Sequence, residues 1–254
     1  MGEADRELAE RAARRGAAAA AAHFGSTLAV DRKNTLVDVV TAADRAAEGA
    51  VVDLIARERP DDGLVGEEGA ARAGAGRRWV VDGLDGTFNF VSGVPHWCTA
   101  VALQDADGTV AAAVHDAVRD EHFSAGRGLG CSADGRPAGV RTGRTLPEAL
   151  VSTFLRTDKL GGREAAPVLA ALADRAGMLR MAGSGSLDLA WVAAGRIDGW
   201  VQPNVDEWDW LPGALLVAEA GGRCTVRPGS PAWHVAGAPA VADALIGLLD
   251  GLGG

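Results

Sequence analysis

The chain has 254 residues, 48% of them hydrophobic and 23% charged, which excludes a disordered protein and allows one sizeable α/β unit or two lobes sharing a core. A net charge of −9 argues against a partner gripped through its nucleic-acid backbone, and an anionic substrate must then find positive charge locally. Cys98, Cys131 and Cys224 form no C-x-x-C pair, and the acidic start (Glu3, Asp5, Glu7, Glu10) is unlike a signal peptide, so the sequence predicts a cytoplasmic protein with no membrane span and no zinc knuckle.

Residues 3–23 are Ala-rich and predict a helix, and residues 41–59 predict a second, with Thr41 and Asp44 as an N-terminal capping pair and Pro60 as its stop. The period then changes. Residues 64–66 and 79–81 are short apolar runs bounded by turn residues, as in buried strands, and residues 97–124 read as a meander with a hairpin at Asp107-Gly108. From residue 150 onward strands (150–155, 178–182, 199–202, 223–226, 233–236) are interleaved with helices (165–176, 187–194, 208–220, 239–249). A meander followed by alternation predicts an α/β protein with two sheet-containing halves, about 1–145 and 146–254, and no linker between them, so residues 1–254 read as one catalytic unit.

The stretch WVVDGLDGTFNF, residues 79–90, ends an apolar run on Asp82 and Asp85 with glycine beside each. A tight turn there lets two carboxylates and the Leu84 carbonyl converge, a donor set that suits Mg²⁺, while Gly86 and the Gly86 and Thr87 N–H groups can meet an anion closely. The same residues also suit a plain capped turn. Glu67, in GEEG, is either a solvated loop acid or a partner placed at a strand end. Asp209, in DEWDWLPG, is either a ligand or an acid answering a helix dipole. Only Lys33 and Lys159 are lysines among 25 basic residues, which singles out Lys33 as a cation that arginine does not replace. The five histidines show no H-E-x-x-H spacing, and GSGS at 183–186 is not a G-x-S-x-G elbow, which excludes the zinc and serine hydrolase patterns.

GEE at 66–68, VDGLDGTFNF at 81–90 and WDWLPGALLVAEAGG at 208–222, in that order and spacing, resemble the inositol monophosphatase family of Mg²⁺-dependent phosphatases, as do RKNTLVDVVTAAD at 32–44 and RMAGSGSLDLAWVAAGRIDGW at 180–200. The resemblance covers essentially the whole chain. It implies a layered αβαβα sandwich, a homodimer, sensitivity to lithium and hydrolysis of a small polyol or sugar-type phosphate, a phosphorylated metabolite, by water activated at two to three Mg²⁺ ions. By the same resemblance Glu67, Asp82, the Leu84 carbonyl, Asp85 and Asp209 are metal ligands, and Asp44 and Thr87 orient the attacking water, with Glu67 assisting. Lys33 belongs to a segment near the site, and Asp85, Gly86, Thr87, Gly183, Ser184, Gln202 and Asp209 contact substrate. Two positions depart from the family pattern. Gly83 replaces the usual proline and is expected to loosen the turn, and Gln202 stands where inositol-using members commonly carry Glu, which keeps an acceptor but loses the charge. Histidinol phosphate, sugar bisphosphates and nucleotide 3′-phosphates therefore stay open as substrates. From another class, a retired enzyme serving as a metal-binding interaction module stays open too.

Overall fold

The computed structural model describes residues 2–26, 29–32, 39–154 and 165–252, so Lys33 lies outside the described residues. Helix α1 (Gly2–Ala21) buries Leu8, Ala9, Ala12, Ala13, Ala17 and Ala20 along one face. Gly16 continues that face because a Cβ there would stand 2.7 Å from Val51 Cγ2 and 2.8 Å from Thr99 Cγ2. Small residues thus let α1 lie close on its neighbours. After a short ladder of β1 (Val30–Arg32) with β2 (Val39–Thr41), helix α2 (Ala42–Glu58) starts at Thr41 with the capping box that the Thr41/Asp44 spacing predicts.

The first sheet contains β3 (Gly63–Gly66), β4 (Ala71–Arg72) and β5 (Arg78–Asp85), then, after the short helix α3 (Thr87–Val91), β6 (Cys98–Asp105), β7 (Gly108–Asp116), β8 (Glu121–Gly126), β9 (Gly130–Ala133) and β10 (Arg136–Ala138). Its order is β10-β9-β8-β7-β6-β5-β3-β4, antiparallel except where β3 runs parallel to β5. The predicted meander is β6 to β8. Strands β4, β9 and β10 escape the sequence reading because they are two to four residues long, too short to show a period.

The second sheet contains β11 (Leu150–Thr153), β12 (Met178–Arg180), β13 (Gly199–Pro203), β14 (Arg223–Arg227) and β15 (Trp233–Gly237), in the order β12-β11-β13-β15-β14. Between these strands run α4 (Ala165–Arg175), α5 (Gly185–Ala193) and α6 (Glu207–Glu219), and α7 (Pro239–Leu252) follows the last. The alternation predicted from residue 150 is found with boundaries shifted by at most three residues, residue 155 of the first predicted strand lying outside the described residues.

Three cores make the layers. Val81, Val101 and Leu103 face α1 and α2, whereas Val80, Ala100 and Ala102 face α5 and α6, as the two-residue strand period requires. Trp200 and Ala236 of the second sheet close the middle core from the far side, and Val201 and Val235 face α4 and α7. The result is an αβαβα stack, the layered α/β fold expected.

His115 and His122 pair across β7 and β8 beneath α1, both buried, with His122 Nε2 3.9 Å from Glu10 Oε2 and Ser124 donating its hydroxyl to Glu10 Oε1 at 2.6 Å. Burial first, then Arg14, His115 and Arg6, push His122 down to about 3, from an ordinary 6.5. The folded chain refuses a proton that the unfolded chain accepts, so this contribution to stability is complete above pH 6.5 and is lost as pH falls toward about 3. His122→Leu is expected to flatten the fall in thermal midpoint between about pH 7 and pH 4.5. Parallel curves for variant and wild type would refute this.

Candidate active site

Asp82 and Asp85 lie within strand β5, not in the turn that the sequence suggests. The ladder explains how acids three positions apart converge. Asp82 pairs with Ala100 and Asp85 with Cys98, so three steps on β5 face two on β6, a bulge that adds one residue and re-aims the side chains. Without it, residues three apart would point to opposite faces. Asp209, in the first turn of α6, brings a third carboxylate, and ligand oxygens of Asp82, Asp85 and Asp209 lie within 4.8 Å of one another. Glu67 follows β3, held by its N–H donating to the Val81 carbonyl at 3.1 Å.

The local electrostatics are those of a crowded anionic pocket. Asp82 accepts the Leu84 N–H on Oδ1 at 2.9 Å, while its Oδ2 is buried without a hydrogen-bond partner. Burial first, then the charges of Glu67, Asp85 and Asp209, hold the Asp82 carboxyl well above the ordinary carboxylate range. Asp85 is also raised by burial, but its Oδ2 accepts the Ser186 N–H at 2.6 Å and the Ser184 hydroxyl at 2.9 Å, and both bonds pull the other way. The start of α5 thus meets an acid of the protein itself, and the Ser184 hydroxyl is directed to Asp85.

Asp44 and Thr87 meet across the site. Thr87 donates its hydroxyl to Asp44 Oδ1 at 2.7 Å, with the Leu84 carbonyl 3.1 Å away, and Asp44 Oδ2 accepts both the N–H and the hydroxyl of Thr41 at 2.7 and 2.6 Å. Asp44 is at once the capping-box acid and a site residue. Gly86 has φ +96, and a Cβ there would stand 3.0 Å from the His96 carbonyl and 3.3 Å from that of Gly183. The close approach demands glycine. Gly83 does not loosen a turn: it lies in β5, where a Cβ would come within 2.5 Å of the Glu48 backbone nitrogen.

Gln202, on β13 opposite His234, is buried, and its Oε1 lies 3.5 Å from where a Cβ on Gly185 would stand, one residue from Ser184. Three further positions escaped the sequence reading. Asn89 donates its amide to the carbonyls of His96 and Ala182, each at 2.7 Å, pinning the segment before Ser184 to α3. Asp188 joins His96 Nε2, 3.2 Å away, to the Ser152 hydroxyl, anchoring α5 in the middle layer. Glu48 caps the loop after Glu67. Asn89 stands inside the quoted DGTFNF run and Asp188 inside the quoted 180–200 segment, signals that were available, whereas Glu48 carries none beyond being one of several acids on a charged helix.

Every donor in the cluster is oxygen, and one buried donor lacks a partner. Such a set fits a hard divalent cation. The fold and this centre together define a layered α/β protein with a cation-type acid site where its first sheet meets α5 and α6. The chain matches the inositol monophosphatase family over residues 3–248 and belongs to that family, whose members use metal ions. It is 39% identical to the Nus factor SuhB of Pseudomonas aeruginosa over 200 residues, 76% of this chain and 74% of that one. It is equally, 39%, identical to an inositol-1-monophosphatase of Rhizobium meliloti over 198 residues, 76% and 73% of the two chains. Among solved structures, the extragenic suppressor protein suhB from Bartonella henselae superposes with a TM-score of 0.91 at 30% identity, covering 97% of this chain and 98% of that one. An IMPase from Thermotoga maritima gives 0.87 at 26% identity, covering 99% and 98%. Among the described residues, no helix is long and apolar enough to cross a membrane.

Proposed function

We propose that the chain is a Mg²⁺-dependent phosphomonoesterase acting on a small polyol or sugar-type phosphate. The observation that carries this reading is the meeting of Asp82, Asp85 and Asp209 oxygens within 4.8 Å, with Asp82 Oδ2 buried and unpartnered, in a chain of this family. In it, Glu67, Asp82, the Leu84 carbonyl, Asp85 and Asp209 hold two to three ions. Bound there, the ions supply the positive charge that a phosphomonoester dianion requires and polarise the attacking water.

The protein's own groups do the aiming. Because the Thr87 hydroxyl donates to Asp44, its oxygen is left to accept from a water, turning that water's lone pair toward phosphorus; Asp44 supplies the negative charge that holds Thr87 in this sense. Gly86 and Thr87 offer backbone to the phosphate, and Gly183, Ser184 and Gln202, with Asp85 and Asp209, border the alcohol side. The neutral Gln202 supports histidinol phosphate, sugar bisphosphates or a nucleotide 3′-phosphate beside inositol monophosphate. Asp209 of the second half lies with Asp82 and Asp85 of the first, which supports one catalytic unit. Family likeness further supports a homodimer and inhibition by lithium, and the free cysteines suit a cytoplasmic enzyme.

The test is phosphate release from a panel of these monoesters, with and without Mg²⁺. Turnover that disappears with EDTA and returns with Mg²⁺ is expected; no metal-dependent release from any member would sink the proposal in favour of a retired metal-binding module. The likeness to the Pseudomonas protein named a Nus factor supports a second role beside catalysis. It is tested by asking whether this chain replaces that relative in its own host.

A further inference from the structure

Glu48 stands apart from the acid cluster yet grips the segment that carries Glu67. It lies one helical turn beyond Asp44 on α2 and is only 4% exposed. Its Oε2 accepts the Glu68 N–H at 2.8 Å, and its Oε1 accepts the Ala70 N–H at 3.0 Å. A carboxylate that takes two backbone N–H groups makes charge-assisted bonds, stronger than neutral ones. Here they fix both ends of the short stretch just after Glu67.

The surrounding glycines show how tightly this is built. A Cβ on Gly66 would stand 2.3 Å from Glu48 Oε2, so the carboxylate fills the space a side chain would need. On the opposite side, a Cβ on Gly83 would stand 2.5 Å from the Glu48 backbone nitrogen and 3.1 Å from the Asp44 carbonyl. The α2 backbone therefore rests on β5 between Asp82 and Leu84, while the Glu48 side chain reaches the loop beyond β3. One helical turn references Asp44, Asp82 and Glu67 to a common frame.

We propose that Glu48 is a positioning residue: through the Glu68 and Ala70 N–H groups it sets where the Glu67 carboxylate stands relative to Asp82, and so sets the cation affinity of the site. The inference rests on the metal-site reading above. Glu48 touches neither substrate nor cation. Gln at this position has one acceptor oxygen, so its amide turns an N–H₂ toward one of the two backbone donors.

The experiment is calorimetric titration of the full chain with Mg²⁺, alongside thermal midpoints and the Mg²⁺ and substrate dependence of turnover. For Glu48→Gln, Mg²⁺ affinity is expected to fall at least about 10-fold, the lower end for loss of a group that orients metal ligands. At saturating Mg²⁺ the substrate KM is expected to return to within about two-fold of wild type, because affinity for the ion, not the substrate surface, is what Glu48 governs. Val51→Ala, on the same helix but facing α1, is the control: it lowers the thermal midpoint and leaves Mg²⁺ affinity unchanged. Should Glu48→Gln fail to fold, Glu48→Asp keeps the charge but, one methylene shorter, cannot span both N–H groups and is expected to weaken Mg²⁺ in the same sense. Unchanged Mg²⁺ affinity with a lowered midpoint, in whichever variant folds, would overturn the positioning role alone. No heat of Mg²⁺ binding by the wild-type protein would overturn the metal-site reading and this inference with it.

Discussion

Asp82→Asn is expected to abolish turnover and, in metal-free protein at neutral pH, to raise the thermal midpoint. Both effects have one origin. Burial and the neighbouring charges of Glu67, Asp85 and Asp209 raise the Asp82 carboxyl well above its ordinary 3.8. A raised acid binds its proton more tightly in the folded chain than in the unfolded one. Its stabilising contribution is therefore complete below pH 3.8 and is lost as pH rises through the folded value, so toward neutral pH the metal-free fold is penalised by an acid that unfolding relieves. The amide keeps an oxygen for the Leu84 N–H but removes that acid. With it goes a donor that no cation site of this kind can spare, so Mg²⁺ should raise the midpoint of the wild type and not of the variant. Wild-type turnover in Asp82→Asn would defeat the assignment, and a lower metal-free midpoint would show that the acids are not in conflict.

Gly83→Ala is the second. An added Cβ would meet backbone atoms, the Glu48 nitrogen at 2.5 Å, its Cα at 3.0 Å and the Asp44 carbonyl at 3.1 Å, and backbone within a capped helix cannot step aside as a side-chain tip can. Helix α2 must lift from β5. The cost is expected near 3 kcal/mol, the upper end for overpacking, or roughly 6–12 °C in thermal midpoint for a chain of this size. Because α2 carries Asp44, its hydrogen bond from Thr87 should open, and turnover should fall on the order of 100-fold, as for an ångström-scale misplacement of a catalytic group. A variant matching wild type in midpoint and rate would show that α2 is not seated on Gly83.

Helix α2 and the second half were legible because their signals are local. Thr41 and Asp44 bond to each other within one turn, and the stretches after residue 150 carry their period in consecutive residues. The pairing of Asp82 with Asp85 was legible as chemistry but not as geometry: read as a turn, it is a bulged strand. A bulge is a property of two strands, and the partner, β6, begins thirteen residues further on. Asn89 and Asp188 were passed over for a related reason. Their partners, the Ala182 carbonyl and Ser152, lie far off in the chain.

By itself, the order of residues determined an α/β class with two sheet-containing halves and the capped start of α2, because propensity and period act over a few neighbours, and membership of the inositol monophosphatase family through DGLDGT and the distal WDWLPG, whose resemblance implied the layering. Only the tertiary structure decided that Asp209 stands with Asp82 and Asp85, that the Ser184 hydroxyl turns to Asp85, that Gly83 is seated on α2, and that Glu48 holds the loop beyond Glu67. Those contacts join segments tens of residues apart, and their distances are set by how closely the layers pack, a quantity that depends on all the side chains between them.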